Sequence, residues 1–206
     1  MTIDLLPGRG VRLPAPLPEL RFGLAEAEVR ALLAPHAERL HDERLHDGQR
    51  PGGVRSTFVC GCRWALAFEL PGVAVTLCAD ERDRLGSVMI GRNPSDDRPA
   101  CPVGYHGIDL LGWSAHELVE ALRAEGLPVP DPVGGSLRHD ALHLHRAPAT
   151  RRRPASPGRK PRHQEPFTFD VVSLSAPTPS AEDTAETTGT EDTNGAKGTK
   201  DIEDTA

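Results

Sequence analysis

Three histidines in the second half of the chain are the residues best suited to chemistry. His139, His143 and His145 recur at even spacing, with Asp140 beside them, in the segment SLRHDALHLHRA. If this segment is one strand, side chains an even number of residues apart point to the same side, so the three imidazoles share a face. Three imidazole nitrogens on one face would suit a metal site, which is the alternative interpretation. The interpretation we prefer is that these side chains simply face water.

A second group of candidate ligands consists of cysteines. Cys60-Gly61-Cys62 lies in an alternating segment, RSTFVCGCRWALAFEL, which is predicted to be a strand with both sulfurs on one face. Cys78 falls on the next predicted strand. Structural zinc sites space their paired cysteines more widely, and free cysteine often behaves as a small buried hydrophobe. We therefore interpret the three cysteines as core residues, with zinc binding or redox work as the alternative.

Charge is divided unevenly along the chain. Residues 146–163 hold six arginines and one lysine with no acid, whereas residues 176–206 hold eight acids against two lysines. The preferred interpretation of the basic segment is a solvated loop, and contacts with nucleic-acid phosphates are the alternative. Its candidate binding residues are Arg151, Arg152, Arg153, Arg159, Lys160 and Arg162.

The sequence lacks the common signatures of enzymes and of membrane insertion. It contains no Walker loop, GxGxxG, GxSxG or HExxH motif, so neither a catalytic activity nor a cofactor is predicted. No apolar run reaches the roughly 18 residues of a membrane span, and the first residues do not have the layout of a signal peptide. Four scattered cysteines fit a reducing compartment. We expect a cytoplasmic bacterial protein with no membrane partner.

The elements that would position these residues are clearest in residues 105–126. Ser114 and Glu117 form a capping box that starts a helix, and Gly126 ends it. Leu118 and Leu122 lie on one side of that helix at a spacing of four residues. Trp113, which follows Gly112, is expected to pack back onto the helix and to be buried.

A similar pattern occurs 89 positions earlier. Residues 22–33 align with residues 111–122, with a glycine and the first-turn glutamate matched. An antiparallel meander is predicted for residues 54–91 and further strands for residues 136–174. The sequence thus predicts an α+β fold made of two helix-then-antiparallel-sheet units, followed by a tail. Their bounds are residues 1–91, a linker at residues 92–104, residues 105–175 with the basic loop 146–163, and a disordered acidic tail at residues 176–206.

The residues Gly23, Ala25, Glu28-Val29 and Leu32-Leu33 at a helix start, followed by a meander and then a second copy, resemble the tandem repeat of the β-lactamase-inhibitor-protein fold. A single unit looks like BamE, the small outer-membrane assembly lipoprotein of the SmpA/OmlA type. The resemblance implies a binding scaffold rather than a catalyst. We therefore predict a protein-binding module, inhibitor-like or immunity-like, whose partner is another protein. The alternative is a metal-binding protein or metal-dependent enzyme that uses the strand with His139, His143 and His145.

Overall fold

The chain folds into two β-sheets and two α-helices, as a computed structural model shows, and the α+β prediction is confirmed. The structure describes residues 1–40, 53–93, 101–146 and 167–177. Side chains from both sheets and both helices join a single hydrophobic core. The two halves of the described chain therefore share one interior.

The larger sheet has seven strands, and all of its neighbours are antiparallel. In chain order they are β4 (Arg55–Ser56), β5 (Ala65–Leu70), β6 (Val73–Ala79), β7 (Leu85–Arg92), β10 (Ser136–His139), β11 (Leu142–His145) and β12 (Val171–Ser175). Their order in space is β10-β11-β12-β7-β6-β5-β4. The central pair, β7 and β12, joins the first half of the chain to the second.

One face of this sheet is apolar because hydrophobic residues recur at every second position along the strands. Cross-strand pairing aligns them in rows that run from strand to strand. One such row is formed by Phe68, Val75, Ile90, Val172, Leu144 and Leu137, each no more than 2% exposed. This face packs into the core, and the opposite face carries the polar half of the pattern.

The smaller sheet combines strands from the two halves. It contains β1 (Ile3–Leu6), β2 (Gly10–Arg12), β3 (Glu19–Arg21), β8 (Val103–Tyr105) and β9 (Ile108–Asp109), in the spatial order β3-β2-β1-β8-β9. Strands β1 and β8 are parallel, and their pairing sets Ile3 opposite Val103. The ends of the predicted linker 92–104 therefore belong to strands, since Arg92 closes β7 and Val103 opens β8.

The second helix, α2 (Ala115–Ala124), begins as the sequence predicts. The Ser114 hydroxyl accepts a hydrogen bond from the Glu117 amide at 3.4 Å, and the Glu117 carboxylate accepts one from the Ser114 amide at 3.2 Å. Its buried face carries Ala115, Leu118, Val119 and Leu122, and Gly126 follows in a left-handed conformation with φ of 82°.

The first helix, α1 (Glu26–Leu33), has half of the same cap. Its N-cap residue is Ala25, which has no side-chain acceptor, but Glu28 still accepts a hydrogen bond from the Ala25 amide at 2.7 Å. A 3₁₀ helix (Ala34–Arg39) follows directly, with Pro35 in its first turn. The α-helix therefore stops just before the proline, as its sequence predicts.

The two helices enter the large sheet in corresponding ways. Ala25 forms an antiparallel bridge with Arg84, just before β7, and Ser114 forms one with Thr168, just before β12. In each half the helix is followed by antiparallel strands, and the last strand of each half lies at the centre of the sheet. On each side of the β7–β12 pair the strands therefore follow in reverse chain order, β6-β5-β4 beyond β7 and β11-β10 beyond β12.

Several strands of the structure differ from the predicted ones. The alternating segment at residues 55–70 contains two strands, β4 and β5, and Cys60-Gly61-Cys62 lies in the turn between them, so the prediction that both sulfurs share a strand face is wrong. The predicted strand VAVTLCA is β6. Most of the basic loop 146–163 and of the acidic tail 176–206 lies outside the described residues. Among the described helices, none is long and apolar enough to span a membrane.

Candidate functional site

The face of the large sheet that points away from the core is the broadest functional candidate in the described chain. We call it the open face. It consists of Arg55, Ala67, Glu69, Ala74, Thr76, Ser87, Met89, Gly91, Ser136, Arg138, His143, His145, Val171, Ser173 and Ser175, all partly or fully exposed. The alternation that buries one side of each strand leaves these residues on the other.

One row of the open face crosses all seven strands. In spatial order it runs through Arg55, Ala67, Thr76, Met89, Ser173, His143 and Arg138. The middle of the row is small or neutral, and an arginine stands at each end. Met89 on β7 is the one large apolar side chain in it, between Thr76 and Ser173. An unbranched thioether adapts to irregular surfaces, so this position suits contact with a partner.

The two ends of the open face differ in chemistry. At the β4 end, Arg55 and Glu69 form an ion pair at 3.8 Å. At the β10 end lies a groove of about 500 Å³, lined by Arg138, Asp140, Ala141, His143, Ser173, Ser175, Ala176 and Pro177. The groove wall contains one arginine, one aspartate and two serines. It therefore offers both donors and acceptors of hydrogen bonds rather than one sign of charge.

The histidines do not form the predicted one-sided triad. The segment is a hairpin, with β10 ending at His139 and β11 beginning at Leu142, and these two residues are paired. Residues paired across a hairpin share a face, so His139 belongs to the buried row of Leu142 and Leu174. Its side chain is 9% exposed and lies 3.4 Å from the Asp140 carboxylate. The prediction that it shares a face with His143 and His145 is wrong.

His143 and His145 do lie together on the open face. Their ring centroids are 5.6 Å apart. Partial burial, and secondarily the neighbouring His143, lower the pKa of His145 below its ordinary value. Within the described ranges, no group of three histidine, cysteine, aspartate or glutamate side chains is placed to hold a metal ion.

The four cysteines lie in different environments. Cys60 is exposed, Cys62 is half-buried, and Cys78 and Cys101 are buried. The Cys62 thiol is a close neighbour of the Cys78 thiol. Burial, and secondarily the Cys62 sulfur beside it, raise the pKa of the Cys78 thiol to about 11. Cys78 is thus buried as predicted, whereas the interpretation as buried core residues is wrong for the exposed Cys60 and the half-buried Cys62.

Exposed aromatic residues differ from expectation as well. Trp113 is 45% exposed, so the prediction that it is buried against α2 is wrong. Phe58, which no sequence motif marks, is 88% exposed in the turn between β4 and β5. A phenylalanine beside Thr57 and Val59 has the composition of a strand, and nothing in that composition signals exposure.

The basic binding candidates, Arg151, Arg152, Arg153, Arg159, Lys160 and Arg162, lie outside the described residues. No protein-family model matches the chain, and no curated protein or solved structure is significantly similar to it. The fold and the open face therefore carry the functional argument alone.

Proposed function

We propose that this protein is a protein-binding module, inhibitor-like or immunity-like, and that the open face of its large sheet binds the partner. The observation that carries the proposal is the row across seven strands, with small side chains in the middle, Met89 among them and an arginine at each end. Small side chains let a partner approach the backbone closely. Polar residues at the rim are typical of protein interfaces.

The dimensions of the face suit this role. Seven strands spaced about 4.8 Å apart span about 29 Å, and five residues along each strand add roughly 17 Å. The projected area is on the order of 500 Å², and a standard interface buries about 800 Å² on each partner. The sheet face alone is smaller than that, so residues at its edges must contribute the rest of the interface.

The proposed architecture behind this surface is a tandem repeat of helix and antiparallel strands. The reverse chain order of the strands on both sides of the β7–β12 pair, and the matching bridges at Ala25 and Ser114, support it. Two units joined side by side would form a sheet twice as wide as that of a single unit. The proposed compartment is the cytoplasm, on the basis of the low and scattered cysteine content.

Protein binding is preferred to the metal-dependent alternative on geometric grounds. That alternative required His139, His143 and His145 on one side of a strand, and the hairpin turns His139 to the opposite face of the sheet. Two imidazoles with centroids 5.6 Å apart remain on the open face. They serve equally well as polar contacts for a partner.

A pair of arginine insertions tests the proposal. Met89→Arg places a long charged side chain at the middle of the open face, and Ala124→Arg places the same side chain at the exposed end of α2. The full chain and each variant are used as bait in lysate of the source organism, and captured proteins are quantified by mass spectrometry. We expect a protein captured by the parent and by Ala124→Arg to be lost with Met89→Arg.

The measurement includes a folding control, namely far-UV circular dichroism and thermal unfolding of both variants. If Met89→Arg is folded and captures the same proteins as the parent chain, the open face is not the binding surface and the proposal fails.

A further inference from the structure

Two of the cysteines are held beside each other by the backbone. Cys78 on β6 pairs with Ala65 on β5, and the Ala79 amide donates to the Trp64 carbonyl at 3.0 Å, which extends the pairing by one residue. Ala65 and Trp64 therefore lie beside Cys78 and Ala79, and Cys62 is only two residues before this paired segment. A turn closed by a hydrogen bond from the Cys62 amide to the Val59 carbonyl, at 3.1 Å, brings Cys62 back to the sheet.

Side-chain contacts fix the same segment to the turn after β6. Arg63 forms an ion pair with Asp83 at 2.9 Å, and the Trp64 indole donates to the Asp83 carbonyl at 3.1 Å. Cys62 directly precedes Arg63, the first of these two anchoring residues. Its thiol is close enough to the Cys78 thiol for the two to interact.

We propose that Cys62 and Cys78 form a dithiol site, which a two-electron oxidant converts into a disulfide between β6 and the turn before β5. This redox modification is separate from the proposed function and does not depend on a partner. The other cysteines provide internal controls, because Cys60 is exposed on the same turn and Cys101 is buried elsewhere with its thiol 3.4 Å from the Met1 carbonyl.

The reaction balances with a peroxide as the oxidant. The Cys62 sulfur, the more exposed of the two, attacks hydrogen peroxide, becomes a sulfenic acid and releases one water. The Cys78 sulfur then attacks the sulfenic sulfur, its proton leaves with the hydroxyl group, and a second water is formed. Two thiols and one peroxide give one disulfide and two waters. Burial favours the protonated, less nucleophilic form of Cys78, which slows the second step relative to an exposed thiol.

Peptide mapping of the full chain tests the site. The reduced chain is treated with hydrogen peroxide, remaining thiols are alkylated, and the protein is digested with trypsin. Cleavage after Arg55, Arg63 and Arg82 separates a peptide containing Cys60 and Cys62 from one containing Cys78. We expect these two peptides to be disulfide-linked, with Cys101 alkylated.

Variants assign the bond to one cysteine of the turn. The link should persist in Cys60→Ser and disappear in Cys62→Ser. Cys78→Ala, which leaves no polar group at the buried position, should also abolish it. A link that persists in Cys62→Ser, a bond between Cys60 and Cys62, or the absence of any intramolecular link would overturn the proposal.

A second measurement needs neither an oxidant nor a variant. Phenylarsine oxide condenses with two neighbouring thiols and releases water. Added to the reduced parent chain, it should bind at one per chain and protect Cys62 and Cys78 from alkylation, while Cys60 remains reactive. Protection of Cys60 and Cys62 instead would show that the turn cysteines pair with each other, and the proposed site would be rejected.

Discussion

Trp113 stands at the entrance to α2 but keeps 45% of its surface exposed. The residue before it, Gly112, explains the local geometry, because a Cβ at this position would lie 2.2 Å from an oxygen of the Asp109 carboxylate. That carboxylate accepts hydrogen bonds from the amides of Val103 and Leu111 at 3.2 and 3.1 Å. The turn is therefore organised around Asp109 rather than around the indole.

This arrangement predicts a small effect of Trp113→Ala on stability. Removing a core aromatic costs about 3–5 kcal/mol, and a half-exposed one should cost well below that. Phe169→Ala is the matched control, because Phe169 is fully buried and contacts Phe167 edge-to-face at 5.4 Å. Chemical denaturation should shift the midpoint strongly for Phe169→Ala and little for Trp113→Ala. Equal losses of stability in the two variants would show that Trp113 belongs to the core.

The two turn glycines show what the alignment of residues 22–33 with residues 111–122 could and could not predict. Gly23 and Gly112 are matched in the aligned segments, but they are needed for different reasons. Gly23 has φ of 88° and open space around its Cβ position, whereas Gly112 is required by the closeness of Asp109. Identity of residue type predicted the positions of the turns correctly. The contacts that make glycine necessary depend on residues that only the fold brings together.

At the scale of elements, the two helices differ by one capping hydroxyl. Serine supplies an acceptor at the N-cap of α2, and alanine supplies none at that of α1. Ala25 already has the extended backbone of an N-cap, with φ of −74° and ψ of 159°. A serine at this position would therefore complete the capping box without rearranging the backbone.

Reciprocal substitutions should have opposite effects. Ser114→Ala should destabilise the protein by about 1 kcal/mol, and Ala25→Ser should stabilise it by up to ~1 kcal/mol, because one removes and the other adds a partner for a free amide of the first turn. Urea denaturation at pH 7 measures both. If Ala25→Ser were destabilising, the added hydroxyl would have to clash with residues around Ala25.

The cap also has a dependence on pH. Hydrogen bonds from the Ser114 hydroxyl and amide hold the pKa of Glu117 below its ordinary value of 4.5. The stabilisation is thus present above the unfolded-state pKa and is lost as the pH falls through the folded-state pKa. In Ser114→Ala the pKa of Glu117 should rise towards its ordinary value, which titration of its side-chain carbon by NMR would detect.

Secondary structure was predictable where local signals are complete. Strand β6 follows the Pro71-Gly72 turn and ends before Asp80, so its bounds were marked on both sides. The hairpin at Asp140 was missed because alternation continues on both sides of it. Asp140 adopts φ of 47°, and the two-residue turn reverses which positions point inward. The histidines and leucines keep their even spacing through this turn, so alternation alone cannot detect the reversal.

At the scale of the whole molecule, the central β7–β12 pair makes the two halves interdependent. The pair has five registered positions, from Ser87 with Ser175 to Gly91 with Val171, and β1 and β8 join the halves a second time. All the buried side chains concerned belong to one core. We expect the described chain to unfold as one cooperative unit.

The two tryptophans test this expectation, because one lies in each half. Trp113→Phe leaves Trp64 as the fluorescent reporter of the first half, and Trp64→Phe leaves Trp113 for the second. In each variant, the fluorescence midpoint in urea should coincide with that of far-UV circular dichroism. Midpoints that differ within one variant would mean that the halves unfold separately.

The position of β12 also matters during synthesis of the chain. When β7 leaves the ribosome, its partner lies about 80 residues further on, which at ~5–20 residues per second leaves an interval of roughly 4–16 seconds. Throughout that interval, the edge of β7 that will pair with β12 is unpaired, and Val88 and Ile90 lie on one face of the strand. Unpaired apolar edges are sites of intermolecular pairing. The nascent first half is therefore the stage at which this protein is most exposed to aggregation, and a chaperone that covers β7 would be needed only until β12 arrives.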